Sequence, residues 1–213
     1  VAGMAALPRI AVVRGETPDP APSAASLWYS GDLVQVFRTA RACCERDLPA
    51  EAIVLDTSSA ERALEWLREL RQDPRLAHRP VYLASDPGAG VLEASDGLVP
   101  APTRLGIDLD AFEARCRSLA AVERVDETSR LLAYLCLRPE RLVEPLLDAR
   151  HATYYRYPLF DLFAPAATDG ATWGDELRRR GLLENARLVD RLRKCTACGG
   201  SHLNYVDVCP ECH

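Results

Sequence analysis

The sequence predicts an α/β protein in which a doubly wound parallel sheet precedes a smaller α+β unit closed by four cysteines. Three observations lead there. Short β-branched runs alternate with amphipathic helical stretches through the first half of the chain. After residue 120 that alternation gives way to short helical pieces interrupted by Pro139, Pro145 and Pro158. The closing stretch, "CTACGGSHLNYVDVCPECH" from Cys195 to His213, holds two C-x-x-C pairs.

Each element follows from its residues. "RIAVVR" (Arg9 to Arg14) is apolar and β-branched, the character of a first strand. "GETPDPAPSA" carries Pro18, Pro20 and Pro22, which no helix interior tolerates. "ASLWYS" predicts a second strand, and Leu33, Val36, Phe37, Ala40, Cys44 and Leu48 then recur at helical spacing. "EAIVLD" (Glu51 to Asp56) predicts a third strand ending on a carboxylate. "SSAERALEWLRELRQDP" opens with serine caps and presents Ala63, Leu64, Leu67 and Leu70 on one face. "RPVYLAS" (Arg79 to Ser85) predicts a fourth strand, and "DGLVP" a weak fifth. From Asp108, the residues Leu109, Phe112, Cys116, Leu119 and Val122 or Val125 fall at helical spacing. That stripe either packs on the core or pairs two subunits into a homodimer through the 108–125 helix.

Composition narrows the function classes. Hydrophobic residues make up 48% and charged residues 27% of the 213-residue chain, an ordinary globular balance with enough apolar side chains for real cores. No apolar run reaches about 18 residues, so no membrane partner is expected. "VAGMAALPRIAVV" lacks the basic start and long apolar core of an export signal, and a reducing cytoplasm is the expected location. A net charge of −5 argues against a nucleic-acid binder that uses its whole surface. Of the 8 cysteines, Cys43, Cys44, Cys116 and Cys136 lie in apolar helix-like stretches and read as small core residues.

The other four are differently placed. In a reducing compartment paired C-x-x-C motifs favour metal over disulfide. Each such turn supplies two thiolates from one tight knuckle, and a hairpin brings a second knuckle opposite. Gly199 and Gly200 suit the first knuckle, Leu203, Tyr205 and Val206 have strand character, and Pro210 stiffens the second. Cys195, Cys198, Cys209 and Cys212 are therefore assigned to one four-cysteine zinc ribbon over 194–213, with one zinc per chain. Iron in a rubredoxin-like site is the chemical alternative. Four thiolates leave no open coordination position, so the expected role is structural rather than catalytic. His202 and His213 read as solvent-facing or hydrogen-bonded side chains.

Between the halves, "DETSRLLAYLCLRPERLVEPLLD" predicts two short helices broken by Pro139 and Pro145. "ATYYRYPLFDLF" is aromatic, with Pro158 ending any strand, and "TWGDELRRRGLLE" predicts a helix stopped at Gly181. Helices followed by a short extended ribbon fit a winged-helix-like unit capped by zinc. Arg178, Arg179, Arg180, Arg191 and Lys194 gather in this region. They form either a solvated basic face or a set of nucleic-acid contacts.

The strand and helix order of residues 8–120 resembles the receiver domain of two-component signalling. In that family an aspartate ending the third strand accepts phosphate and a Ser or Thr ends the fourth; Asp56 and Ser85 stand at those places. The remaining pattern departs. Arg14 and Gly15 replace the acidic pair that holds Mg²⁺, and Ala101 replaces the lysine before Pro102. Phosphoryl transfer to a carboxylate depends on a cation between the anions, so this segment reads as a pseudo-receiver with Asp56 and Ser85 as a vestigial phosphoacceptor site.

The remainder, an output-type domain over 121–213, resembles across roughly 125–213 the thaumarchaeal output domain, a predicted metal-binding module placed after receiver domains. The carriers are Tyr155, Tyr157, Pro158 and Leu159 in "YRYPL", then "LLE" at Leu182 to Glu184 and "LVDR" at Leu188 to Arg191. "SHLN" at Ser201 to Asn204 and "VCPEC" at Val208 to Cys212 complete them. In some bacterial proteins this module is fused to diguanylate cyclase modules. The resemblance implies a signalling role, and the chain is expected to be a regulatory one acting through a protein partner or a downstream output domain. No G-x-S-x-G, Walker loop, H-E-x-x-H or GGDEF-type signature occurs, so no enzyme activity is expected. The alternative is a DNA-binding transcriptional regulator using residues 178–194 and the zinc ribbon.

Overall fold

Strands β1 (Ile10–Arg14), β2 (Val34–Phe37), β3 (Ala52–Asp56) and β4 (Val81–Leu83) form one parallel sheet in the order β2-β1-β3-β4. The computed structural model describes residues 9–15, 34–46, 50–119, 126–151, 154–191 and 195–197. Register places Val12 beside both Val36 and Val54, and Arg14 beside Asp56. The weak fifth strand shrinks to a single parallel bridge between Leu83 and Leu98.

Alternation of side chains along β1 and β3 sends apolar residues to both faces, as a buried parallel sheet requires. On one face Ala11, Val13, Ile53, Leu55, Val81 and Leu83 are buried beneath helices α1 (Ala40–Cys44), α2 (Ala60–Gln72) and α3 (Ala89–Ala94). The other face, Ile10, Val12, Ala52, Val54 and Tyr82, packs on Leu105 and Leu109 of α4 (Pro102–Ser118). Of the expected stripe on α4, Leu109 packs on the chain's own sheet, Phe112 is buried, Cys116 and Leu119 are half-buried, and Val122 and Val125 lie outside the described residues. This helix starts at Pro102, whose fixed φ suits the first helical position, well before Asp108.

Two sequence assignments change here. Val36 and Phe37 lie in β2 rather than a helix: Phe37 is buried against the core while Val36 points outward, 64% exposed. Helix α1 starts only at Ala40, where the Thr39 side chain accepts a hydrogen bond from the Ala42 amide at 3.1 Å. The stretch "ASLWYS" lies outside the described residues.

The second segment contributes α5 (Glu127–Cys136), an antiparallel pair β5 (Leu146–Leu147) and β6 (Tyr155–Arg156), α6 (Pro158–Phe163) and α7 (Gly170–Arg179). Asp126 and Ser129 form a reciprocal capping box at the start of α5. Pro158 ends β6 by opening α6, again at the first helical turn. Helix α7 stops at Gly181, φ +72°, with Gly181 N donating to Arg178 O at 2.9 Å and Leu182 N to Leu177 O at 3.0 Å. That pair of bonds is a Schellman termination. Gly174 lets α7 close on α6, since a Cβ there would lie 2.5 Å from the Phe160 ring.

The second helix expected beyond Pro139 does not form. Pro145 lacks an amide donor, and the Arg141 guanidinium ties this stretch to the first segment by donating to Ser95 O at 2.5 Å and to Glu93 O. Cys43 is buried and Cys44 and Cys116 are half-buried, but Cys136 is exposed at the end of α5 and is no core residue. Leu159, Phe160, Leu162 and Phe163 of α6 join Leu131, Tyr134 and the buried residues of α2 and α3 in one cluster. Packing thus crosses the 120/121 division.

Candidate functional site

Parallel strands deliver their last residues to one rim, where open α/β sheets place their chemistry. Arg14 and Asp56 end β1 and β3 in register, and Arg14 Nε donates to Asp56 Oδ2 at 2.5 Å. The Asp56 side chain is 11% exposed and that of Arg14 36%. Ser85 stands beside this pair, its hydroxyl reaching Thr57 O at 3.5 Å, the far limit of a hydrogen bond. Asp56 and Ser85 thus reach neighbouring places on the rim. The carboxylate there already has a fixed cation as its partner, supplied by the adjacent strand.

A larger polar assembly lies at the far end of α2. Asp96 accepts from Val81 N at 2.8 Å, from Arg138 Nη2 at 3.0 Å and from Arg71 Nη2 at 3.4 Å. Arg138 Nε donates to its other carboxylate oxygen. Arg71 is fully buried and also donates to the carbonyls of Ala77 at 3.0 Å and Arg79 at 2.8 Å. The Arg138 guanidinium sits 3.7 Å from the centre of the Tyr134 ring and 5.3 Å from that of Phe112, while Arg71 lies 4.7 Å from Tyr134. Cation–π contact is strongest where water is excluded, as it is here.

Charge follows from this geometry. Burial pushes the Asp96 carboxyl up, but Arg138 and then Arg71 outweigh it and hold the group at about 2. Burial draws Arg71 downward. It acts the same way on Arg138, where Asp96 prevails and raises it.

No motif pointed to this joint. Its members come from α2, the turn after α3 and the end of α5, so no sequence window holds them together. The one faint signal was Arg71, which sits beside Leu67 and Leu70 on the buried face of an otherwise amphipathic helix.

In the second segment, Tyr155 Oη donates to Asp190 at 2.8 Å, so "YRYPL" and "LVDR" touch. Tyr157 stacks on Phe160 with ring centres 5.4 Å apart. Arg187 pairs with Glu144. The Asp190 and Arg187 contacts fasten residues that lead towards Cys195, which is half-buried just before a turn. Cys198, Cys209, Cys212, His202, His213 and Lys194 lie outside the described residues. Among the described residues no group of three His, Cys, Asp or Glu side chains is placed to hold a metal, and no helix is long and apolar enough to cross a membrane. Arg178 pairs with Asp175 at 3.5 Å and Arg179 with Glu176 at 2.8 Å, each one turn away on α7. Arg180 and Arg191 are exposed.

These features describe an α/β sheet segment joined through a buried charge cluster to a helical segment that leads into paired cysteines. The family model for Thaumarchaeal output domain 1 matches residues 120–213, less than half of the chain. No curated protein and no solved structure matches the chain. The matched span takes in α5, β5, β6, α6, α7 and all four cysteines of the two C-x-x-C pairs. A match to an output domain is consistent with a regulatory or signalling role and with a downstream partner.

Proposed function

We propose that the chain is a non-catalytic regulatory module, a pseudo-receiver coupled to an output segment that acts through protein contacts. The observation that carries the reading is the Arg14–Asp56 pair. A carboxylate that is to attack phosphorus needs a metal-bound phosphoryl donor in front of it and a free lone pair. Here a guanidinium from the next strand holds the carboxylate, and Arg14 and Gly15 stand where Mg²⁺ would need acids. The test is incubation of the purified chain with Mg²⁺ and either acetyl phosphate or beryllofluoride, followed by intact mass spectrometry. No adduct is expected. A stoichiometric adduct that disappears in Asp56→Asn would overturn the pseudo-receiver reading.

In the output segment Cys195, Cys198, Cys209 and Cys212 form a donor set of four thiolates, which suits a structural zinc and leaves no position for substrate. Bound zinc would supply a cross-link there and no reaction step. Such thiolates need a reducing setting, which supports a cytoplasmic location. Native mass spectrometry is expected to find one zinc per chain, and protein prepared reduced and without chelator yet free of metal would refute the assignment. The partner is a protein or a downstream domain such as a diguanylate cyclase; Leu105 and Leu109 of α4 pack on the chain's own sheet, which leaves less of that helix for pairing with a second copy. Exposed Arg180 and Arg191 favour a second reading, nucleic-acid contact, which requires a salt-dependent affinity for DNA that falls when Arg179 and Arg180 are reversed in charge.

A further inference from the structure

Among the described residues, the buried side-chain polar atoms that lack a hydrogen-bond partner are Glu69 Oε2, Arg71 Nε, Arg130 Nε and Tyr134 Oη. The first two belong to α2 and the last two to α5. Arg71 and Tyr134 meet at the charge joint, where the guanidinium lies over the ring, so two of the four orphaned atoms belong to it. Elsewhere the buried clusters are almost wholly apolar, and the β1–β3 centre of the sheet has no such orphaned groups.

We infer that this joint is a latch: α5 and α6 open from α2 and α3 as a unit, well short of global unfolding, and Asp96 governs how often. The reasoning is one of balance. Arg71 and Arg138 share a single carboxylate, with Arg141 beside the same Tyr134 ring, and the two arginines on the carboxylate disfavour each other's charge. A buried ion pair of this kind is hard to break by removing one partner, yet it is weaker than apolar packing of the same volume. Each orphaned atom regains a hydrogen bond when water enters. The sheet gains nothing comparable on opening, because its strands are apolar on both faces and its amides are paired along the ladders. Proteins open sub-globally in cooperative units of unequal stability, and this seam divides two such units.

Opening also releases Arg115 Nε from Leu137 O, 2.8 Å apart, and Arg141 from the Ser95 carbonyl. It uncovers Leu159, Leu162 and Phe163, the apolar face of α6. The latch needs neither bound zinc nor the pseudo-receiver reading, so it stands or falls separately from both.

Native-state hydrogen exchange on the full chain tests it. Amides of α5 and α6 are expected to share one opening and to exchange about ten-fold or more faster than those of β1 and β3. Asp96→Asn should accelerate α5 and α6 by about another ten-fold, because the ion pair is lost in their opening, while β1 and β3, which exchange through global unfolding, remain the slower set. If that variant does not fold, Arg138→Lys is the milder break, keeping the charge but losing the forked pair and the ring stack. Tyr134→Phe should act in the opposite sense and slow α5 and α6, because it deletes an unpaired hydroxyl and little else. The latch is refuted if α5 and α6 exchange only as fast as the sheet, or if Asp96→Asn leaves their exchange unchanged. It also fails if Tyr134→Phe accelerates exchange.

Discussion

Two arginine–aspartate assemblies, the rim pair and the joint, put the same functional groups to different ends. At the rim, Arg14 and Asp56 are neighbours by strand register alone, and solvent reaches the arginine. At the joint, Asp96 gathers Arg71 and Arg138 from two different helical regions, with their side chains 0% and 9% exposed. Exposure decides what each contributes. A solvated pair gains little over its two hydrated ions, whereas a buried one leaves a stranded charge when either partner goes. The rim pair therefore fills a site, and the joint holds two segments together.

The largest effect should come from stranding that charge. Arg138→Met removes the forked partner of Asp96 and the stack on Tyr134, and is expected to cost about 3–5 kcal/mol. Chemical denaturation of the full chain checks it; a loss comparable to a surface substitution would mean that Arg71 alone satisfies Asp96.

Next comes the apolar side of the same seam. Gly174→Ala would drive a Cβ into the Phe160 ring, so α7 must shift from α6 at a cost of about 1–3 kcal/mol. A wild-type unfolding midpoint would show that the ring rotates away freely.

The seam also shows how much was legible beforehand. β1, β3 and β4 were readable because each is a run of apolar residues that must be covered on both sides, whatever the partner. The stop of α7 at Gly181 was readable because positive φ falls to glycine. β2 was misread because Val36, Phe37 and Ala40 satisfy helical spacing by chance across a strand, a cap and a helix. The stretch after Pro139 was misread because its conformation is set by Arg141 reaching carbonyls 46 and 48 residues away. At the rim, Asp56 ends β3 as expected while Ser85 lies two residues beyond β4, and Arg14 was noted only as a missing acid, not as a partner. The joint was invisible for the reason that makes it informative: Arg71, Asp96 and Arg138 come from three separate stretches of sequence.

Acid should separate the two assemblies further. The Asp96 carboxyl is held at about 2, below the ordinary carboxylate value near 3.8. A group depressed on folding contributes stability that is complete above its unfolded value and lost as pH falls towards its folded one. Asp96 should thus contribute about 2 kcal/mol at neutral pH and lose it between about pH 4 and pH 2. Asp161, whose carboxyl burial raises, works in the opposite sense, so the measurement is the difference between wild type and Asp96→Asn across that window. Parallel stability curves would show that the carboxylate charge is not what Arg138 and Arg71 respond to.

Arg14→Ala is the smallest expected change, and it sharpens the comparison most. With the guanidinium over one-third exposed, its pair with Asp56 should contribute only about 0–1 kcal/mol. Denaturation should barely separate Arg14→Ala from wild type, whereas Arg138→Met shifts the midpoint clearly. If Arg14→Ala instead destabilised the chain as strongly, the rim carboxylate would be buried in effect, its ion pair a second structural clamp, and the rim no longer a surface open to any partner.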